Sequence, residues 1–111
     1  MSTRARAYQE RITKRSSNKA YEVNGVRFDG YRKGILIEAK GPGYAKFIED
    51  GDFKRFFTNT GAKRLLEQAT RQTKAAKGRP IEWHVAEKEF ARVLRDHLGE
   101  SFPGIRIVHT P

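Results

Sequence analysis

The stretch Val26–Gly43, VRFDGYRKGILIEAKGPG, decides how this chain folds. It holds two strand-like runs on either side of the turn signal Lys33-Gly34, with Asp29 in the first run and Glu38 and Lys40 in the second. Glu38 and Lys40 stand two apart, so on a strand both side chains leave one face while Ile37 and Ala39 leave the other. Ile35-Leu36-Ile37 makes this the most apolar strand of the chain, and hence the one expected to be most buried. A charged pair inside such a strand costs free energy unless it is paired, opens on a cleft or meets a cation. That cost is what points to function.

Hairpin register decides whether Asp29 joins the pair. With the two-residue loop Lys33-Gly34, Arg32 pairs with Ile35 and Asp29 falls opposite Glu38. With a three-residue loop Asp29 falls opposite Ile37 and the carboxylates part, unless a bulge at Gly30 restores the match.

Outward from the hairpin, the pattern reads as alternating elements. Ala5, Tyr8 and Ile12 recur at helical spacing within Thr3–Arg15, and Ser16–Lys19 breaks that helix. Tyr21–Val23 is a short strand, joined by Asn24-Gly25 to Val26–Tyr31, so three antiparallel strands in a meander are expected. Gly41-Pro42-Gly43 ends the third strand. Tyr44–Phe57 is rich in aromatics and interrupted at Gly51, which reads as a short helix, a break and a short turn. Gly61–Lys77 carries Leu65, Leu66, Ala69, Thr73 and Ala76 on one stripe, capped by Asn59 or Thr60 and closed by Gly78. Ile81, Trp83 and Val85 alternate as a strand, Glu87–Leu98 forms a second amphipathic helix, and Ile105–Val108 is a last strand. The fold class is therefore α/β, a mixed sheet in αβββαβ order flanked by helices. Residues 1–7 read as a basic N-terminal tail and 8–111 as one domain, without repeats or linkers.

At 111 residues the chain has material for one modest core. The absence of cysteine removes disulfides, thiolate catalysis and cysteine-ligated zinc. With no long apolar run and no signal-peptide pattern, neither a membrane span nor a Sec signal is expected. The 23 Lys and Arg against 13 acidic residues leave a net charge of +10, a field that attracts polyanions. Nucleic acid is the first candidate partner and an acidic protein inhibitor the second.

Two carboxylates on one face suit Mg²⁺ or Mn²⁺, hard ions that take oxygen ligands and keep waters for a phosphate to displace. In that reading Asp29 and Glu38 hold the metal, and Lys40 orients the attacking water or stabilises the transition state of phosphodiester hydrolysis. The opposing reading puts Asp29 in a turn and makes Glu38 and Lys40 a strand-end ion pair. Spacing alone leaves the two even, because the pattern is short.

Longer runs carry more. Tyr8-Gln9, Asn24–Gly30, Glu38–Tyr44, Gln68-Ala69-x-Arg71-Gln72 and Glu82–Glu87 together resemble the restriction-endonuclease-fold toxin domains of bacterial polymorphic toxin systems, the group called Tox-REase-5. The resemblance covers about residues 8 to 109. It implies a restriction-endonuclease-like PD-(D/E)xK core and a nuclease toxin domain, carried within a longer secreted effector of the type VI kind and countered by an immunity protein. The effector would act on DNA in the cytoplasm of a target bacterium. Asp29, Glu38 and Lys40 match the motif by position, although Phe28 stands where its Pro would be.

Gln68 and Gln72 lie one turn apart at the edge of the long helix's apolar stripe and resemble the accessory helix residues of that superfamily. Gln9 is better placed than Glu10 to face the sheet from the first helix. Arg4, Arg6, Arg11, Arg64 and Arg71 are candidate phosphate-backbone contacts. Trp83 reads as core, as do Tyr44 and Phe47; His84 faces solvent or a helix, and His97 is expected to bond a carbonyl. The rival functions are a non-catalytic nucleic-acid-binding or assembly module of the same fold, and an RNase.

Overall fold

The turn at the centre of the hairpin has both residues in the left-handed region, Lys33 at φ 52° and Gly34 at φ 84°. Such a two-residue turn matches the twist of the strands it joins, and in this computed structural model, which describes residues 2–111, it sets the register Arg32↔Ile35, Tyr31↔Leu36, Gly30↔Ile37. The paired strands are β3 (Gly30–Arg32) and β4 (Ile35–Lys40). No bulge is needed, and Asp29, the residue before β3, arrives beside Glu38.

The central sheet has the order β3-β4-β7-β8, where β7 is Ile81–Val85 and β8 is Ile105–His109. β3 is antiparallel to β4, whereas β4, β7 and β8 run parallel. Parallel neighbours require crossover connections, and these are helices α3 (Gly61–Ala76) and α4 (Lys88–Leu98). Both pack over Leu36, Ile81, Trp83, Val85, Ile105 and Ile107 in the main core. Helix α1 (Thr3–Thr13) covers the other face, where Tyr8 and Ile12 meet Ile37. It begins at Thr3, as the helical spacing within Thr3–Arg15 predicts, so residues 3–7 belong to the helix rather than to a tail.

The expected three-stranded meander does not form. Strands β1 (Tyr21–Val23) and β2 (Val26–Phe28) make a separate ribbon that leans over α3, with the Asn24 amide donating to the Ala75 carbonyl at 2.7 Å. The break falls at Asp29-Gly30 for two reasons. Phe28 is fully buried in the main core, while Gly30 lies against Thr13 of α1, where a Cβ would come within 3.0 Å of Thr13 Cγ2. The chain thus passes from one layer to the other at that point. The Asp29 carboxylate accepts the Ala39 N–H at 2.8 Å.

Between β4 and α3 the chain forms a 3-10 turn (Ala45–Phe47), a small hairpin of β5 (Ile48–Glu49) and β6 (Asp52–Phe53), and the short helix α2 (Arg55–Thr58). The hairpin replaces the expected break, because Asp50-Gly51 adopts the same left-handed turn as Lys33-Gly34. The segment is tied down from the end of the adjacent parallel strand β7. The Glu87 carboxylate accepts the N–H groups of Gly43, Tyr44 and Ala45 at 3.2, 2.8 and 2.9 Å. α4 correspondingly begins at Lys88, one residue later than the pattern predicts.

Lys33 carries a Cβ in a conformation that Asn tolerates better. Lys33→Asn is expected to raise stability by roughly 0.5–1 kcal/mol without shifting the register. Thermal melts of the two proteins, with amide exchange on β3 and β4, check it.

Candidate active site

Strand alternation sends Leu36, Glu38 and Lys40 to the α3 face and Ile35, Ile37 and Ala39 to the α1 face. Glu38 and Lys40 are buried, at 8% and 6% exposure, so their charges need internal partners. They have each other, Lys40 Nζ lying 3.1 Å from Glu38 Oε2. They also have α3. Gln68 Nε2 donates to Glu38 Oε2 at 3.0 Å and Gln72 Nε2 donates to Glu38 Oε1 at 3.2 Å.

The direction of each glutamine amide follows from a neighbour that can only donate. Trp83 Nε1–H donates to Gln72 Oε1 at 2.8 Å, which turns the Gln72 NH₂ toward Glu38. Lys40 Nζ donates to Gln68 Oε1, which does the same for Gln68. Lys40 also sits over the Trp83 ring, 4.9 Å from its centroid. Two of its three N–H groups are thus used, leaving one for a further acceptor.

Asp29 closes the site. Together with Arg27, Glu38, Gln68, Arg71 and Gln72 it lines a cleft of about 450 Å³ under the β1–β2 ribbon. Burial, and then the Glu38 charge, push its carboxyl up from 3.8 to about 6, against the smaller opposing pull of the Ala39 N–H, Lys40 and Arg27. Two carboxylates therefore share one cleft, and the Glu38 charge raises the cost of ionising Asp29. Among the described residues no group of three or more His, Cys, Asp or Glu side chains is gathered. The available donors are the hard oxygens of Asp29 and Glu38. This fits an ion of the Mg²⁺ type, which takes one or two carboxylates and completes its shell with water and substrate phosphate.

The structure brings Asp29, Glu38, Lys40, Gln68 and Gln72 together, with Arg71 at the rim. It does not bring Arg4, Arg6 and Arg11 there, because α1 lies on the opposite face of the sheet. Arg11 instead donates to the Pro111 carbonyl at 2.8 Å and stacks over Tyr8. Arg64 lines a neighbouring cavity with Lys40. Glu10 accepts the Ser17 N–H at 2.7 Å and so serves the end of α1. Gln9 is buried, with its Nε2 lacking any partner among the described residues, and it is absent from the cleft lining.

His97 does not bond a carbonyl: it is exposed at the surface and pairs with Asp52 at 2.7 Å. His84 lies between Glu82 and Thr110. Arg27 was not singled out by the sequence, since its place depends on the β1–β2 ribbon leaving the sheet. Trp83 reads correctly as core, but its role in aiming Gln72 has no signature in strand alternation.

A mixed sheet clad by helices on both faces, with a carboxylate and a lysine two apart on an inner strand, is the architecture of restriction-endonuclease-like proteins. The chain belongs to the restriction endonuclease fold toxin 5 family, whose model matches residues 5–88. That makes it a toxin domain of nuclease type, with nucleic acid as its substrate class. No curated protein and no solved structure gives a significant match.

Two stability effects follow. With a folded pKa of about 6 against 3.8 in the unfolded chain, the Asp29 contribution is fully present below about pH 4 and is lost as pH rises through about 6. In EDTA, Asp29→Asn should therefore be the more stable protein at pH 8, by roughly 1–2 kcal/mol after screening at the cleft mouth. Near pH 4 the two should converge, which denaturant titrations at the two pH values would read. Gln9→Leu, which removes the orphaned amide, should raise stability by about 1 kcal/mol in the same titration.

Proposed function

We propose that this chain is a metal-dependent endonuclease toxin domain that hydrolyses phosphodiester bonds in DNA. The observation that carries the reading is that Asp29 and Glu38 share one cleft while Lys40, at its Gln68 wall, pairs with Glu38 at 3.1 Å, is held by Gln68 and still owns a free N–H. Asp29 and Glu38 hold Mg²⁺ or Mn²⁺. When bound, such an ion neutralises phosphate charge and makes a water nucleophilic at neutral pH.

The chain's own residues do the rest. Arg27 and Arg71, at the rim, draw in the phosphate backbone without reading base sequence. Lys40 gives its remaining N–H to the non-bridging oxygen of the scissile phosphate or to the attacking water, stabilising charge as it develops. Gln68 keeps Lys40 and Glu38 in place, and Gln72, aimed by Trp83, prevents the Glu38 carboxylate from rotating away. Water adds to phosphorus, the bond to one bridging oxygen breaks, and the strand is left with a phosphate end and a hydroxyl end.

The biological setting is part of the same proposal: an antibacterial effector domain, delivered by a secretion system of the type VI kind into the cytoplasm of a target bacterium. The net charge of +10 suits an acidic immunity protein that covers this surface. Among the described residues no helix is long and apolar enough to cross a membrane.

Supercoiled plasmid incubated with the protein and Mg²⁺ should be nicked and then linearised, and EDTA should stop the reaction. Glu38→Ala and Lys40→Ala should each lower the rate by at least about a hundredfold. Equal integrity of plasmid with wild type and both variants would favour a binding module, and cleavage of matched RNA in its place would make the enzyme an RNase.

A further inference from the structure

A second cavity lies on the other side of the bridge from Lys40 to Gln68. It measures about 260 Å³ and is lined by Lys40, Tyr44, Phe57, Gly61, Arg64 and Leu65 with Gln68 as the shared wall. Its charged lining is wholly cationic, since Lys40 and Arg64 are the ionisable ends and no Asp or Glu contributes. Arg64 is exposed and has no carboxylate partner among the described residues. Tyr44 is stacked on Phe90 with centroids 4.3 Å apart, which fixes its ring at the cavity wall.

Arg64, Gln68 and Arg71 follow one another at i, i+4 and i+7 on α3, so they share one face of the helix. The ends of that row are about 10.5 Å apart along the axis, at 1.5 Å per residue. The Glu38–Lys40 centre is bonded to Gln68, inside that row, so a strand lying along it sets one phosphate at the centre and a neighbour toward each of Arg64 and Arg71.

Resting on the nuclease reading, we propose that one nucleic-acid strand runs along α3, its scissile phosphate over Lys40 and Gln68 and a neighbouring phosphate seated in the second cavity on Arg64. The neighbour on the opposite side is held by Arg71 and Arg27 at the rim of the main cleft. Arg64 and Arg71 therefore hold different phosphates of one strand, on opposite sides of the bond that is cut.

The test is phosphate interference. End-labelled oligonucleotides carry one uncharged methylphosphonate at successive positions, and cleavage at each neighbouring bond is compared with the fully charged strand. For wild type, the neutral group should suppress cleavage on both sides of itself by about tenfold or more. Arg64→Ala should lose the interference on one side only and Arg71→Ala on the other, while Arg64→Lys keeps most of it. Interference patterns of wild type and Arg64→Ala that coincide would overturn the proposal.

If wild type cut no strand, the nuclease reading would fall separately. Binding by the Glu38→Gln protein would then decide the cavity, through the slope of log affinity against log salt. Arg64→Ala should make that slope shallower by about one, and an unchanged slope would overturn the assignment.

Discussion

Everything in this small domain is arranged so that an ion pair can be buried on an inner strand. Glu38 and Lys40 are each less than a tenth exposed, and desolvating two charges costs several kcal/mol per ion unless their remaining hydrogen-bonding capacity is met. Mutual pairing meets part of it. The rest comes from Gln68 and Gln72 on α3, so the crossover helix must lie over β4 with that face down. Trp83 is then required twice, as the donor that aims Gln72 and as the ring beneath Lys40. A neighbouring strand, a crossover helix and the core tryptophan between them are thus committed to one polar network.

Asp29 is the part of the site that is not stabilising. Its carboxyl is raised to about 6 by burial and by Glu38, so at neutral pH the fold holds two repelling charges in one cleft. A sequence shaped only for stability would neutralise one of them. Keeping both is the stored electrostatic cost that a cation, or a phosphate with its counter-ion, would relieve. The two-residue turn at Lys33-Gly34 holds that repulsion in place by locking the register, and the buried Phe28 and crowded Gly30 on either side leave the Asp29 backbone little freedom.

The basic charge is distributed with less purpose than its total suggests. Arg27, Arg64 and Arg71 surround the polar network, whereas Arg11 is tied to the C-terminal Pro111 carbonyl on the far face. The first helix serves the second core, where Tyr8 and Ile12 close over Ile37 and the Tyr8 hydroxyl donates to the Thr110 carbonyl at 2.8 Å. Its arginines therefore lie away from the polar network, since helical spacing says which side of α1 is buried and nothing about which side of the sheet receives it.

Local rules were enough wherever one element settled the question. Strand alternation put Glu38 and Lys40 on a common face, Asn24-Gly25 and Lys33-Gly34 placed two turns, and the apolar stripe of α3 put Gln68 and Gln72 toward the sheet. These depend on spacing within one segment, which the amino-acid order states directly. Tertiary structure decided what depends on two segments at once: the departure of the β1–β2 ribbon, the placing of Arg27 over the cleft, the clamp of Glu87 on the loop after β4, and the aiming of Gln72 by Trp83. Each arises because a buried side chain or donor must find its partner across the core, and that partner is chosen by packing rather than by neighbourhood along the chain.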